Sequence, residues 1–142
     1  MSSAKDLKLE QKAAAQQVQV LSELSLLVKD IERSEKTILA LRGELSGVNS
    51  RYQGPRNTRE DIAYLTSLLD CAKKKLAWEK QITSLQKRTP DVLQKMSSLI
   101  NDPKAPPADE VRHRMLAGLQ AVQAAMERLQ NVKWNEGEQS SN

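Results

Sequence analysis

Two side chains of this sequence have the chemistry of a catalytic nucleophile and its base: a single cysteine, Cys71, and a single histidine, His113. A thiolate nucleophile needs a base within hydrogen-bonding reach, and a zinc site needs several clustered ligands. Cys71 instead falls in a row of apolar residues at helical spacing, and His113 stands between Arg112 and Arg114. We therefore predict a packed thiol, a solvated imidazole, no catalytic or metal site, no cofactor and no enzyme.

A second chemistry, the binding of phosphates, is indicated by arginines around an aromatic side chain in SRYQGPRNTRED, residues 50–61. Arg51, Arg56 and Arg59 cluster there beside Tyr52, and guanidinium groups bind phosphates while aromatic rings stack on bases. The segment lacks the glycine spacing and the lysine of a phosphate-binding P-loop. The three arginines are therefore candidates for contact with an acidic partner. Association with nucleic acid, in DNA repair or chromatin, is the alternative to protein binding.

The same segment has the signals of a turn between two helices. Gly54 and Pro55 end a helix, because glycine accepts the C-terminal conformation and proline cannot continue the hydrogen-bond pattern. Asn57 or Thr58 then caps the next helix through its side-chain oxygen. We therefore predict a turn at 53–58.

Long helices must flank this turn. From Val20 onward, apolar side chains recur alternately four and three residues apart, with Ser34 as the polar member of the row. A matching row runs from Tyr64 to Leu99. Heptad spacing over many turns is typical of long helices that pack along a common seam. It predicts an all-α, elongated, coiled-coil-like antiparallel hairpin over residues 1–100.

The two rows, with leucines beside the second one, supply the candidates for an interface with partners. These candidates are Leu24, Leu27, Ile31, Ile38, Leu41 and Leu45 before the turn, and Leu65, Leu68, Leu69, Trp78, Ile82 and Leu85 after it. The motif LTSLL, from Leu65 to Leu69, matches an LxxLL helix box, but the seam needs the same leucines, which favours a core role.

A second apolar stripe lies beside the row on the second helix. It consists of Ile62, Leu65, Leu69, Ala72 and Leu76. Two adjacent stripes make an apolar face that is wide enough to contact two neighbouring helices. The second helix is therefore expected to touch more than the first helix alone.

Prolines mark the remaining divisions of the chain. Residues 101–109, NDPKAPPAD, contain three prolines, which favour an extended linker. Apolar spacing then resumes and predicts a third, C-terminal helix over 110–134, followed by a disordered tail at 135–142. Pro90 predicts a kink or a short break within the second helix.

Composition limits the remaining classes of function. Of 142 residues, 39% are apolar, 3% are aromatic and none is phenylalanine, which suits helix seams better than a compact globular core. The net charge is +4, and the lysines at 73–75 fan around the helix because successive residues point about 100° apart. No apolar run reaches the roughly 18 residues of a membrane span, and no secretory signal is visible. A cytoplasmic or nuclear location is therefore expected.

The stretches LRGELSGVN and IAYLTSLLDCAKKKLAWEKQITSLQKR resemble Snapin-type small coiled-coil subunits, in which a heptad hairpin carries a basic run after a double leucine. Those subunits belong to complexes that control lysosome-related organelles. The segment ELSGVNSRYQ is also similar to small kinetochore coiled-coil subunits. The first resemblance implies an adaptor without catalysis, and the second implies a kinetochore or cytoskeletal subunit.

Together these features predict a non-catalytic coiled-coil scaffold or adaptor subunit of a multiprotein complex. The Snapin-type resemblance implies work in the positioning of organelles or vesicles. The expected partners are helical proteins or a second copy of the chain, joined through the heptad seams.

Overall fold

The computed structural model describes residues 4–52, 54 and 58–132, and every regular element within them is an α-helix. Helix α1 is Ala4–Arg51, helix α2 is Thr58–Ile100 and helix α3 is Asp109–Asn131. At about 1.5 Å per residue, these helices are roughly 72, 64 and 34 Å long. The predicted all-α fold, with a long hairpin and a third helix, is therefore confirmed, and the molecule is elongated.

The two long helices run antiparallel and keep a constant heptad register. Three ion pairs link side chains across them: Lys74 with Glu44, Arg88 with Asp30, and Lys95 with Glu23. From the first pair to the second, the residue number rises by 14 on α2 and falls by 14 on α1, and the next step is 7 on both. Side chains seven residues apart therefore keep the same position relative to the partner helix, as in a coiled coil.

Helix α3 packs on α1 and runs parallel to it. Gly118 lies so close to Leu24 that a Cβ atom at Gly118 would stand 3.1 Å from the Leu24 Cδ1 atom. Ten residues later, the Arg128 guanidinium lies 3.6 Å from the Glu35 carboxylate. Both helices thus advance in the same direction, and α3 meets α2 only marginally.

Helix α2 returns the chain to the first half of α1, and the proline-containing linker then reverses its direction, so α3 runs parallel to α1. Gln17, a buried polar residue of α1, donates a hydrogen bond from Nε2 to the carbonyl oxygen of Ala105 at 3.4 Å. This contact fixes the linker against α1 just before α3 begins.

The core is divided into two clusters of buried side chains. The larger cluster combines all three helices and contains Val20, Leu24, Leu27, Ile31, Leu85, Val92, Met96, Met115, Val122, Ala125 and Leu129. The smaller cluster lies nearer the turn and contains Ile38 and Leu41 of α1 and Cys71 of α2. Val132, just after α3, packs against this smaller cluster. The core is therefore three-helical away from the turn and two-helical close to it.

Pro90 does not interrupt α2, so the short break, one of the two predicted outcomes, is absent. The helix continues through this position, and the Thr89 hydroxyl donates a hydrogen bond to the Leu85 carbonyl oxygen at 2.7 Å. The seam also continues, since Val92 and Met96 beyond the proline are buried in the three-helix core. Packing on both sides of Pro90 outweighs the loss of one backbone donor.

The turn and the C-terminus are described in part. Gly54 has a φ of +95°, a conformation that favours glycine, as expected for the residue that ends α1. Gln53 and residues 55–57 lie outside the described residues. Helix α3 begins at Asp109, one residue before its predicted start. The predicted end of that helix and the predicted tail fall within 133–142, which also lie outside the described residues.

Candidate functional site

Six of the twelve side chains predicted to bind partners are buried in the chain's own core. These six are Leu24, Leu27, Ile31, Ile38, Leu41 and Leu85. None is more than 3% exposed, so they offer no surface to a second protein. The prediction is corrected for these residues, because the hairpin and α3 together close over the seam of α1.

Four further candidates are half-buried at the edges of the same seam: Leu45, Leu68, Trp78 and Ile82. Trp78 packs against both core clusters. Its indole N–H donates a hydrogen bond to the backbone carbonyl oxygen of Ser34 at 2.9 Å. Trp78 is therefore engaged mainly in packing within the chain.

The last two candidates, Leu65 and Leu69, are exposed and belong to a longer apolar row. Ile62, Leu65, Leu69 and Leu76 are 57%, 61%, 56% and 55% exposed, respectively. Together with the exposed Ala72 they form the predicted second stripe, which we call the α2 stripe. The core interpretation of the LTSLL motif is wrong for Leu65 and Leu69, whose side chains face outward.

The α2 stripe is exposed because α2 turns the neighbouring row toward α1. Cys71 in that neighbouring row is 1% exposed, and Leu68 is half-buried. Both rows are apolar, and only one of them can face α1. The remaining row is free to contact a third helix, as the width of the apolar face predicts.

The α2 stripe continues a row that is covered elsewhere in the molecule. Leu93 and Ile100 follow Leu65 by 28 and 35 residues, which are whole numbers of heptads. Both pack against the three-helix core. Because the register of the hairpin is constant in heptads, all three residues lie on one side of α2, the side that faces the three-helix core. We call the uncovered part of this side, between α1 and α2 along the α2 stripe, the open groove.

Helix α3 is too short to fill the open groove. It ends at Asn131, and the following Val132 packs beside Ile38. The antiparallel register places Ile38 level with Lys80 of α2. The α2 stripe, from 62 to 76, therefore lies wholly beyond the end of α3.

The lysine run on α2 does not form a single basic patch. Lys74 Nζ lies 2.9 Å from the carboxylate of Glu44 on α1 and 3.1 Å from that of Asp70. Hydrogen bonds to Glu44 and Asp70 raise the pKa of Lys74 above its ordinary value. Lys75 has an ion pair on its own helix. Lys73 is exposed and takes part in none of the ion pairs found among the described residues.

Two tyrosines join the end of α1 to the start of α2. The rings of Tyr52 and Tyr64 stack with their centroids 3.9 Å apart. The Tyr64 hydroxyl donates to Asn49 at 2.8 Å, and the Tyr52 hydroxyl donates to Asp61 at 3.0 Å. Burial, and then the hydrogen bond to Asp61, raises the pKa of Tyr52. The stacked tyrosines and their hydrogen bonds therefore link α1 to α2 beside the turn.

The arginines predicted as basic contacts lie close to these tyrosines. Arg51 is the last residue of α1, Arg59 is the second of α2, and both are exposed. Arg56 lies outside the described residues. Arg59 is therefore the member of this group that stands on the same helix as the α2 stripe.

The cysteine and the histidine lie on different helices and in different surroundings. Cys71 is buried, and burial, with smaller contributions from Glu44 and Asp70, raises the pKa of its thiol. His113 is exposed on α3, where Nδ1 lies 2.9 Å from the carbonyl oxygen of Asp109. The predicted packed thiol and solvated imidazole are confirmed. Within the described chain, no cluster of three metal-binding side chains occurs, and no helix has the length and apolarity needed to cross a membrane.

The fold and the groove define an antiparallel helical hairpin with a parallel third helix and one uncovered apolar row. No protein-family model matches this chain, and neither a curated protein nor a solved structure matches it. The resemblance to Snapin-type and kinetochore subunits therefore stays a prediction.

Proposed function

We propose that this protein is a non-catalytic helical subunit that joins a multiprotein complex by accepting a helix of another protein in its open groove. One observation carries the proposal: the four large side chains of the α2 stripe are each more than half exposed, although they lie in one row. Single exposed leucines are ordinary, whereas contiguous exposed apolar surfaces mark interaction sites.

A helix suits this groove better than an extended segment does. The same side of α2 already packs against the three-helix core at the other end of the molecule, through Leu93 and Ile100. Apolar side chains spaced three and four residues apart pack into the corresponding spaces of a second helix. A bound helix would continue the line of α3 from the level of Val132 toward the turn, and the bundle would become three-helical along most of its length.

In such a complex the chain acts as a scaffold or adaptor. The hairpin is about 70 Å long. Its half away from the turn packs against α3 and stabilises the fold, whereas its half near the turn is uncovered and binds the partner. The Snapin-type resemblance supports a role in positioning organelles or vesicles, and the second resemblance supports a kinetochore or cytoskeletal complex instead.

The test compares three tagged chains that are purified from cells at moderate salt with nuclease present. They are the unchanged protein, a stripe variant with Leu65→Asp and Leu69→Asp, and a control with Leu26→Asp. Leu26 is a matched control, because it is 53% exposed but lies on α1, outside the stripe. Since all three side chains are exposed, each variant should keep the helical circular dichroism of the parent.

Mass spectrometry of the purified material should find a near-stoichiometric set of proteins with the unchanged chain and with the Leu26 control. The stripe variant should lose at least one member of that set. If all three chains retain the same companions, or if all three are recovered alone, the open groove is not an assembly site and the proposal fails.

A further inference from the structure

Cations border the α2 stripe along one edge. Arg59, Lys73 and Lys80 are exposed and lie in one row on α2. The row has a residue at every seventh position from 59 to 80, and Thr66 is its remaining member. None of the three takes part in an ion pair found among the described residues. We call Arg59, Lys73 and Lys80 the basic row. It contains no acidic side chain.

The basic row lies directly beside the apolar stripe. Lys73 follows Leu69 by four residues, and Lys80 follows Leu76 by four. Side chains four residues apart on a helix are neighbours on its surface. A helix that covers the stripe must therefore place one of its own edges against the basic row.

We infer that the occupant of the open groove is a helix of a different protein that carries Asp or Glu along the edge facing the basic row. This inference rests on the proposed function and specifies the partner. The charged edges of packed helices set partner choice and orientation, because opposite charges attract and like charges disfavour the pairing. An acidic edge would supply carboxylates to the basic row, which forms no ion pair within the described residues.

A second copy of the chain that packs antiparallel, stripe against stripe, does not satisfy this requirement. When two identical helices pack stripe against stripe in antiparallel fashion, the same edge of each helix faces its counterpart. Lys73 and Lys80 of one copy would then approach only the cations or Thr66 of the other copy. Like charges across the seam oppose that dimer, whereas an acidic partner removes the repulsion.

An anionic membrane or a nucleic acid fits the surface less well than a helix does. Glu79 follows Leu76 by three residues and continues the α2 stripe with a carboxylate that is 50% exposed. Asp70 precedes Lys73 by three residues, on the side of the basic row away from the α2 stripe, and is 57% exposed. A continuous layer of phosphates would meet both carboxylates, whereas a helix meets only the side chains along its own edges.

The test measures binding of two synthetic amphipathic helical peptides to the full-length protein by fluorescence anisotropy. Both peptides are about four heptads long and have the same leucine seam. One carries Glu at both edges and the other carries Lys. We expect the Glu peptide to bind at least about tenfold more tightly, since several cross-helix charge pairs change sign between the two peptides. Its affinity should fall as salt rises.

A charge-reversed protein, Lys73→Glu with Lys80→Glu, should invert this preference and bind the Lys peptide more tightly. The stripe variant, Leu65→Asp with Leu69→Asp, should bind neither peptide. The partners recovered with the unchanged protein should be lost from the charge-reversed protein.

The outcomes separate this inference from the proposed function. If the stripe variant loses peptides and partners but the charge of the peptide makes no difference, the groove binds helices and the inference about the acidic edge is wrong. If neither peptide binds, or if sedimentation shows a dimer that the stripe variant abolishes, the inference is overturned. The inference would also be overturned if the unchanged protein bound phosphatidylserine vesicles or duplex DNA and the stripe variant did not.

Discussion

The indole of Trp78 and the backbone of Ser34 join the two long helices where the three-helix core meets the two-helix core. The Trp78 N–H donates to the Ser34 carbonyl oxygen at 2.9 Å, and the ring packs against both core clusters. Ser34 is 3% exposed, although it is the polar member of an otherwise apolar row. The small side chain lets the backbone of α1 come close to the indole, and this explains a serine in the seam.

Ser34→Leu should therefore destabilise the protein, although it completes the heptad pattern. A leucine at this buried position must displace Trp78 or separate the helices, and overpacking of this kind costs about 1–3 kcal/mol. Urea unfolding followed by circular dichroism would measure the change. Ser34→Ala is the control and should have a smaller effect, because it adds no volume and keeps the carbonyl. A more stable Ser34→Leu protein would contradict the role assigned to this site.

Two glycines in helix interiors should respond differently to replacement by alanine. Gly43 has no atom within 4 Å of an added Cβ, so Gly43→Ala should stabilise the protein by about 0.5–1 kcal/mol through helix propensity. At Gly118 the added Cβ would stand 3.1 Å and 3.3 Å from Leu24 Cδ1 and Cβ. The Leu24 Cβ is fixed to the backbone of α1, so α3 must move away.

Gly118→Ala should consequently show no gain and should be at least about 1 kcal/mol less stable than Gly43→Ala. Thermal and urea unfolding of the two variants, measured side by side, would test this difference. Equal stabilisation of both would mean that α1 and α3 do not approach as closely as the structure shows.

Much of the fold could be predicted from heptad spacing, because the spacing reports which face of each helix is apolar. Leu27, Ile31 and Ile38 were identified in this way, and all three are fully buried. The exposure of Leu65 and Leu69 could not be predicted, because both are as apolar as Leu68 in the neighbouring row. It depends on long-range contacts with α1 that no local pattern specifies. The absence of a break at Pro90 has the same origin, since packing on both sides holds the helix together.

The open groove could be foreseen only in part. The α2 stripe was visible as a pattern, but its exposure depends on where α3 stops, which is a matter of tertiary register. The seven-residue spacing of Lys73 and Lys80 was also present in the sequence. This spacing indicates a binding edge only when the neighbouring leucines are known to be exposed. On a helix whose apolar side chains are all packed, the same lysines would be an ordinary solvated edge.

The thiol of Cys71 should react slowly with alkylating reagents in the folded protein. Burial both blocks access and raises the pKa of the thiol, so the reactive thiolate is less abundant at a given pH than for a free cysteine. At about pH 8, iodoacetamide should modify Cys71 at least about tenfold more slowly than it modifies an exposed thiol. The reaction rate should continue to rise at pH values where that of the exposed thiol has levelled off.

The matched control is a protein in which the thiol is moved by one residue, with Cys71→Ala and Ala72→Cys. Position 72 is exposed, so its thiol should react at the rate of a small free thiol. Equal rates for the two proteins would show that Cys71 is accessible and that the two-helix core opens readily.

Hydrogen exchange should be faster near the turn than at the opposite end of the hairpin. Among the described residues, three buried side chains form the cluster near the turn, whereas eleven form the three-helix cluster. Fewer buried contacts lower the free energy of local opening, so amides of residues 60–72 should exchange sooner than those of residues 84–96. Mass spectrometry of peptides from these two stretches would measure the difference.

Adding the Glu-edged peptide should slow exchange in the first stretch and leave the second unchanged, because the bound helix covers the part of α2 that α3 does not reach. Protection that is uniform along α2 in the free protein would mean that the open groove is not a site of reduced stability.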